Sequence, residues 1–483
     1  MRLPNLCRQA LISSAGSAVV SVSFLVAIPV VADAQYPNPQ SATTRARDLR
    51  MEGGATLASL LALADSVNPA VVAARSRVGA ARARVRPASA WDDPTVMAGI
   101  LNLPLGSMNA APDNAMSGGA RRLPGDDMTM KMVGIQQRIP YPGKLSARRQ
   151  IAEREADIAV AQLDGMRRTT ARDIKKAYFE LAYLDRAIEL VARNQTLLND
   201  IVRVTEAQYA SGVVGQQDVL KARLEASRSG ETASALIEER LSMLAELNAL
   251  VDRDSGTPIF SPGVPQRLVD AAIAADPSRI SFASQKLGAR TAGSPLPSLR
   301  FLEELAVRNN SGLREMAAKI TAQAARVSLA EKAFKPDFDV SLQYGQRDQR
   351  PDMVSAVVSI PIPIHKRSRQ DQLVTEARLE LAALEAEHKS EANRVRAEVA
   401  RLVSDVERSR TQLALYRKAF LPQGEAAVSS ALADYRSAKG NLLSVLGNQA
   451  TLFAFETANY RALSDFAKSM ADLEAIVGTE VLP

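Results

Sequence analysis

The chain has 483 residues, of which 46% are hydrophobic and only 4% are aromatic. This hydrophobic content is typical of a packed protein rather than a disordered one, and the abundance of Ala, Leu, Arg and Glu favours long helices over a β-rich fold. The formal net charge is +7, but basic and acidic residues alternate along the chain instead of clustering. A binding surface for nucleic acid is therefore not expected.

The first residues have the pattern of a secretory signal peptide. Arg2 and Arg8 precede the apolar run Ala18–Val31, which is followed by an A-x-A cleavage motif ending at Ala34. We therefore predict a signal peptide over residues 1–34. The alternative, an N-terminal membrane anchor, is disfavoured because the apolar run is too short to span a bilayer comfortably.

Any later membrane crossing is predicted to use β-strands. No run of about 18 apolar residues follows the signal-like segment, so no membrane-spanning helix is expected. Four short runs alternate apolar and polar residues, as strands between lipid and water do; they cover approximately 95–102, 129–138, 337–345 and 353–361. Four strands cannot close a barrel, and an open edge inside a bilayer leaves backbone groups unsatisfied. Several copies of the chain must therefore pool their strands.

The sequence repeats itself after about half its length. Two pairs of segments resemble each other: Thr56–Ala74 with Ser298–Met316, and Arg138–Lys144 with Ser359–Lys366. Pro94 and Pro336 each precede a strand-like run at matching places. Each half is predicted to run helix, strand, loop, strand, Ile-Pro-x-Pro, long helix, glycine-bearing tip, helix. We therefore predict two structural repeats, residues 35–258 and 259–483.

Long helices are predicted to dominate both repeats. No proline lies between Pro142 and Pro258, and the stretch 145–207 has the apolar spacing of a single helix with a narrow, coiled-coil-like seam. We expect this helix to pack against the antiparallel helix after its tip and against the hairpin of the second repeat. Pro422 lies inside the corresponding helix of the second repeat and should kink it, unless a new helix starts at 423.

Together these features resemble the TolC-like outer-membrane channels of bacterial efflux and secretion systems. The resemblance covers nearly all of the mature chain and rests on the duplication and on four motifs: Gln136–Lys144 (Q-x-x-I-P-Y-P-G-K), Tyr209–Leu220 (Y-x-x-G-x-x-x-x-x-D-V-L), Leu421–Pro422 and Tyr435–Leu446. It implies a mainly α fold with a small β portion. Duplicated long helical hairpins would form a periplasmic tunnel, and four strands per chain would be pooled into a trimeric, twelve-stranded outer-membrane barrel.

The resemblance also implies a periplasmic mouth at the two hairpin tips. The candidate mouth or gate residues are Tyr209, Gly212, Gly215, Asp218, Tyr435, Arg436, Lys439, Gly440 and Ser444. Glycines are expected there because a reversing backbone needs positive φ angles. In the related channels, groups placed like Asp218 and Tyr435 bond to hold the mouth shut; the alternative is that Asp218 caps the returning helix.

The second tip departs from the family pattern. The acidic positions expected after Tyr435 are Ser444 and Gly447, and an expected basic residue is Gly440. A strong acidic ring at the mouth is therefore not expected, and the second tip is basic. At the other end of the long helices, five residues are the candidate barrel-to-helix junction: Pro140, Pro142, Gly143, Pro361 and Pro363.

The resemblance implies a passive exit duct in the outer membrane that extends into the periplasm. The segments YPGKL, QQDVLKARLEAS and LNAL are most similar to the branch that works with heavy-metal pumps. The implied partners are two further copies in a homotrimer, a periplasmic adaptor (membrane fusion) protein, an inner-membrane RND-type pump and outer-membrane lipid. Drug efflux or type I protein secretion is the alternative use of such a duct. A structural coiled-coil surface protein is the alternative of a different class.

Neither catalysis nor a cofactor is expected. The sequence has no Walker A motif, no H-E-x-x-H and no Rossmann glycine fingerprint. Metal ligands are scarce, because Cys7 lies in the predicted signal peptide and the histidines are His365 and His388. Met128, Met130 and Met132 alternate along one predicted strand. They could contact soft metals, or they form a lipid-facing or packing stripe.

Overall fold

The computed structural model describes residues 56–101, 129–259, 263–273, 296–347, 350–437 and 439–482. The predicted signal peptide lies outside the described residues. In chain order the elements are α1 (Leu57–Val67), α2 (Pro69–Ala88), β1 (Thr95–Leu101), β2 (Met130–Ile139), α3 (Lys144–Ala210), α4 (Gln216–Leu250), α5 (Gln266–Ile273), α6 (Leu299–Asn309), α7 (Ser311–Lys332), β3 (Phe338–Arg347), β4 (Met353–Ser359), α8 (Gln370–Leu415), α9 (Leu421–Arg436) and α10 (Leu442–Val477). The prediction of a mainly α fold with a small β portion is confirmed.

Equivalent asparagines build the same joint in both halves of the chain. Asn68 separates α1 from α2, caps α2 through its side-chain oxygen, and donates its Nδ2 to the carbonyl of Leu250 at the end of α4, 2.8 Å away. Asn310 separates α6 from α7, caps α7 in the same way, and donates to the carbonyl of Ile476 at the end of α10, 3.1 Å away. The order of elements thus occurs twice, although the repeat boundaries at 34/35 and 258/259 stay predictions.

The 67-residue helix α3 organises the helical part. At 1.5 Å per residue it is about 100 Å long, and it packs against α2, α4, α7 and α10. Ile174, Tyr178 and Leu181 on α3 are fully buried in one cluster with Phe466 and Leu473 of α10. The predicted helix over 145–207 and its predicted partners, the returning helix and the second hairpin, are confirmed.

The four strands form one antiparallel sheet in the order β1-β2-β3-β4. One face is apolar, because directly opposite residues share a face and Ile135 of β2 lies opposite both Val96 of β1 and Leu342 of β3. This face is exposed: Leu342 is 52% exposed and Tyr344 is 47% exposed. Predicted and observed strands agree to within about two residues at each end.

Helical hydrogen bonding changes before Pro422. Tyr416–Phe420 form a π-helical segment, in which the N–H of Leu421 donates to the carbonyl of Tyr416. The wider turn accommodates a proline that has no N–H and whose ring crowds the preceding turn. The alternative, a new helix that starts at 423, is wrong, because α9 already begins at Leu421. A π segment is a recognised cause of helix kinks.

Within the described ranges, no single helix combines the length and the apolar character that crossing a membrane requires. Only α1 and α2 taken together, with a 45° bend between them, meet both conditions.

Candidate functional site

The first hairpin tip, between α3 and α4, turns at Gly212. Its φ of +74° is a left-handed conformation that side chains rarely adopt, and the N–H of Val213 closes the turn on the carbonyl of Gln208 at 2.9 Å. Gly215 is the residue before α4 and has a φ of −85°. The expectation of a positive φ is thus confirmed at Gly212 and wrong at Gly215, which starts the helix in an extended conformation.

The second tip, between α9 and α10, uses its glycine differently. Gly440 does not have a positive φ, so that expectation is wrong there. A Cβ at Gly440 would lie 3.0 Å from the Cβ of Asp434 and 3.1 Å from the backbone nitrogen of Tyr435. Close approach of the backbone therefore requires the glycine. Asn441 caps α10 by accepting the N–H of Ser444 at 2.8 Å, a role that the sequence analysis missed.

Tyr435 joins the two hairpins inside the protomer. It is only 3% exposed, and its hydroxyl lies 3.0 Å from Oγ1 of Thr205 on α3. Because Thr205 donates its own proton to the carbonyl of Ile201 at 2.8 Å, Tyr435 is the donor. Within the protomer its bond goes to Thr205 rather than to Asp218. Thr205 is not among the candidate residues from the sequence; its signal there is a polar side chain seven residues after Leu198 on the apolar seam.

An apolar cluster surrounds this hydrogen bond. Leu198 and Ile201 of α3, Ala222 of α4, and Leu442 and Val445 of α10 are buried in one cluster with Tyr435. The two tips of one protomer are therefore held together by apolar packing, by the hydrogen bond from Tyr435 to Thr205, and by one from Nε2 of Gln208 to the carbonyl of Tyr435 at 3.4 Å. A rearrangement between them would expose this cluster to water at a cost in free energy.

Several charges at the tips have no partner among the described residues of the protomer. Asp218, in the first turn of α4, is half-buried, and Arg436 and Lys439 on the second tip are exposed. Among the described residues, none of these three side chains makes a hydrogen bond or an ion pair. The alternative that Asp218 caps α4 receives no support, because no side chain caps this helix in the structure. Tyr209 and Ser444 are exposed beside these charges.

At the other end of α3, the first strand–helix junction is closely packed. Lys144, whose side chain is 10% exposed, donates its Nζ to Oδ1 of Asp337 and to the carbonyl of Lys335, both at 2.7 Å. The N–H of Tyr141 also donates to Oδ1 of Asp337, at 2.9 Å. Gly143 has a φ of +90°, and its carbonyl accepts from Lys332 at 3.0 Å. The junction thus ties the end of β2 to the residues just before β3.

Asp337 remains ionised to a lower pH than an ordinary aspartate. Burial on its own would raise the pKa of Asp337, but the hydrogen bonds from Lys144 and from the N–H of Tyr141, together with the Lys144 charge, lower the pKa below its ordinary value. The carboxylate is therefore part of the packing of this junction. Pro140 is buried beside it, while Pro142 is exposed.

The second junction lacks the packing of the first. Pro361 is exposed and Pro363 is half-buried, and the isoleucines that follow them, Ile362 and Ile364, are each 78% exposed. Lys366 corresponds to Lys144 in the repeated motif, but its ammonium lies 5.5 Å from the Phe334 ring instead of on a carboxylate. The structure therefore brings the predicted residues of the first junction together and leaves those of the second without an equivalent neighbour.

The described methionines of the predicted stripe pack against glycine. Met130 and Met132 lie on the face opposite to Val133, and a Cβ at Gly345 would lie 2.8 Å from the sulfur of Met130. The structure therefore supports a packing role for Met130 and Met132, which do not lie on the exposed apolar face. Met128 lies outside the described residues. In the described part of the chain, no group of three or more His, Cys, Asp or Glu side chains could hold a metal ion.

Comparison with known proteins identifies relatives of this architecture. The profile of the family described as "Outer membrane efflux protein" matches residues 60–252 and 302–479. The cobalt-zinc-cadmium resistance protein CzcC of Cupriavidus metallidurans is 26% identical over 352 residues, which are 71% of this chain and 76% of CzcC.

Solved structures share the fold. The outer membrane protein VceC of Vibrio cholerae superimposes with a TM-score of 0.67 at 18% identity, over 88% of this chain and 96% of VceC. CusC superimposes with a TM-score of 0.67 at 14% identity, over 88% of this chain and 92% of CusC. Because the family profile accounts for most of the chain, the protein belongs to the Outer membrane efflux protein family, and it is an outer-membrane channel and not an enzyme.

Proposed function

We propose that this protein is the outer-membrane exit duct of a tripartite efflux system. Three copies pool their sheets into one twelve-stranded barrel, and their helical hairpins form a tunnel in the periplasm. An inner-membrane RND-type pump supplies the energy, and a periplasmic adaptor protein joins the pump to the duct. The duct itself conducts its cargo passively.

The observation that carries this proposal is the sheet. Its apolar face is exposed in the protomer, as at Leu342 and Tyr344, and an uncovered apolar surface of this kind marks an interface with lipid or protein. Among the described strands, the outer ones, β1 and β4, each pair on one side only. Open strand edges do not persist in lipid, so pooling with further copies accounts for both features.

Heavy-metal cations are the cargo that we propose. The support is the similarity to CzcC, whose name gives cobalt, zinc and cadmium resistance. In this proposal the mouth opens and closes at the hairpin tips. Asp218 has no partner within the described protomer, and neither have the cations Arg436 and Lys439. Opposite charges on neighbouring copies can therefore hold the mouth shut.

Deletion of the gene from its host tests the function. Cells without the protein should accumulate more cobalt, zinc or cadmium after exposure, as measured by inductively coupled plasma mass spectrometry, and the wild-type gene should restore efflux. Unchanged metal content together with lost drug resistance or lost protein secretion would show that the cargo is different. Unchanged metal content, drug resistance and protein secretion would contradict the duct itself.

A further inference from the structure

The two halves of the chain differ at their strand–helix junctions in a way that points to a partner. The first junction, Pro140–Lys144, packs against the residues before β3. The second junction, Pro361–Lys366, has no such neighbour in the part of the chain that the structure describes. The residues before β1 are also uncovered: Trp91 is 59% exposed, and Asp92 and Asp93 are exposed. Each half therefore exposes residues beside the same end of the sheet, before β1 in the first half and after β4 in the second.

We infer that the second junction of one copy is the docking site for the segment Trp91–Asp93 of a second copy of this chain. The contact is an electrostatic and apolar seam, with Ile362, Ile364, Lys366 and Arg367 on one side. On the other side are Trp91, Asp92 and Asp93 of the neighbouring copy. This inference rests on the proposed pooling of strands, and it names the residues that join one copy to the next below the sheet.

The first junction, within one protomer, shows how such a contact is built. There β2 pairs with β3, and Lys144 at the end of β2 reaches the segment before β3, where it bonds the carbonyl of Lys335 and the carboxylate of Asp337. Pro336 in that segment corresponds to Pro94, so Lys335 corresponds to Asp93. Pairing of β4 with β1 of the next copy is the equivalent arrangement. It brings Lys366, the counterpart of Lys144, to the segment Trp91–Asp93.

Charge complementarity supports this occupant. Asp92 and Asp93 have no side-chain hydrogen bond or ion pair among the described residues of the protomer, and the same holds for Arg367 and Arg369. The ammonium of Lys366 makes no ion pair among the described residues and lies 5.5 Å from the centre of the Phe334 ring. The charge of Asp92 acts on Arg138 of β2, but the two side chains form no ion pair. The seam would thus give these two acids and the basic cluster opposite charges as neighbours, which favours this neighbour over a wrong one.

The two faces of the sheet support the same arrangement. On β4, Val354 and Val358 lie on the exposed apolar face, and on β1, Val96 and Ile100 lie on that face. A β4–β1 pairing that continues this face across the seam places these side chains opposite one another. A slip by one residue would turn one strand's apolar side chains to the other face. Ile362 and Ile364 follow β4 in the chain and would then lie beside Trp91 of the neighbouring copy.

A charge exchange tests the seam. The double variant Asp92→Lys with Asp93→Lys places positive charges against the basic cluster. The double variant Lys366→Glu with Arg367→Glu places negative charges against the two acids. Each double variant should lower the temperature at which the detergent-solubilised trimer dissociates, as measured by native mass spectrometry. The combination of all four substitutions should restore it. The matched control is Glu385→Lys with Glu387→Lys, two exposed acids on α8 away from the junction, which should leave the dissociation temperature unchanged.

The outcomes separate this inference from the proposed function. A trimeric wild type whose dissociation temperature responds to neither reversal, or is not restored by the exchange, overturns the seam and leaves the trimeric duct standing. A wild type that is not trimeric overturns both. Should the reversals fail to fold, Asp93→Cys with Lys366→Cys in a Cys7→Ser background provides the second measurement. Oxidation should link chains covalently in the double variant and in neither single variant, and absence of linked chains from a folded trimer refutes the seam.

Discussion

At the scale of single residues, the carboxylate of Asp337 receives two hydrogen bonds that tie the end of β2 and the start of α3 to the start of β3. Asp337→Asn removes the charge and leaves the ammonium of Lys144, whose side chain is 10% exposed, without its counter-ion. We expect a loss of about 1.5–3 kcal/mol in the free energy of unfolding, the usual contribution of hydrogen bonds to charged groups. Chemical denaturation in detergent, followed by circular dichroism, measures it.

Asp339 offers the matched control, because it pairs with Arg138, whose side chain is 58% exposed. Asp339→Asn should cost less than about 1 kcal/mol, as exposed ion pairs do. Equal losses for the two variants would show that the junction is not special.

The stabilisation that Asp337 provides depends on pH in a defined way. Because the pKa of Asp337 is lowered in the folded state, its stabilisation is complete above the unfolded pKa of about 3.9 and is lost as the pH falls through the lower folded value. The difference in stability between wild type and Asp337→Asn should therefore be constant near neutral pH and shrink below about pH 4. A difference that stays constant down to pH 2 would contradict this assignment.

Tyr435 and Thr205 should be energetically coupled. Tyr435→Phe removes the hydroxyl that donates to Thr205 inside the apolar cluster, and we expect a loss of about 1 kcal/mol. Thr205→Val removes the same bond, so the double variant should lose less than the sum of the two single variants. A double-mutant cycle measures this coupling. Strict additivity of the two losses would mean that the hydrogen bond does not form in solution.

At the scale of elements, ion pairs fasten α3 to α10. Glu180 on α3, whose side chain is 11% exposed, accepts from both Arg461 and Lys468 of α10. Lys175 extends the contact to Glu474 at 2.6 Å, farther along α10. These ion pairs lie beside the buried apolar contact between α3 and α10. They fix the position of one hairpin along the length of the other within the protomer.

Glu180→Gln should weaken this contact. The substitution leaves Lys468, whose side chain is 18% exposed, without its main counter-ion, and we expect a loss of about 1.5–3 kcal/mol in the free energy of unfolding. Glu189→Gln is the control on the same helix, because Glu189 pairs with Arg186 within α3 and both side chains are more than half exposed. It should cost less than about 0.5 kcal/mol. If the two variants lose the same amount, the pairs between the helices do not hold the hairpins.

The mouth has its own test. If Asp218 holds neighbouring tips together, Asp218→Ala should raise the single-channel conductance in planar bilayers and leave the trimer's thermal stability nearly unchanged. Glu385→Ala, at an exposed acid on α8 outside the two tips, is the control and should leave the conductance unchanged. Wild-type conductance in Asp218→Ala together with a lower melting temperature would instead make Asp218 a group that stabilises α4.

The elements could be predicted because their signals are local. Alternation identifies β3, and a proline-free stretch with apolar spacing identifies α3, almost to its ends. The π segment at Tyr416–Phe420 could not be predicted, because several local solutions accommodate Pro422 equally well in the sequence. The bond from Tyr435 to Thr205 was missed for another reason: it joins residues of different hairpins, and only the packing of α9 on α3 brings them together.

At the scale of the whole molecule, the duplication itself was visible in the sequence, but the difference between its two junctions was not. The Ile-Pro-x-Pro motifs of both halves look alike. Only the structure shows that Lys144 pairs with Asp337, while Lys366 pairs with no carboxylate among the described residues. In the proposed trimer, the second junction therefore makes its contacts with a neighbouring copy. A single sequence predicts that strands must be pooled, without giving the residues that meet between copies.

The central claim is that three copies of this chain build one outer-membrane duct. Native mass spectrometry of the purified protein, released from detergent micelles under gentle activation, counts the chains in each particle. The account predicts a particle of three chains that dissociates only as the protein is destabilised. A stable, folded monomer would contradict it, because the sheet edges at β1 and β4 would then remain open.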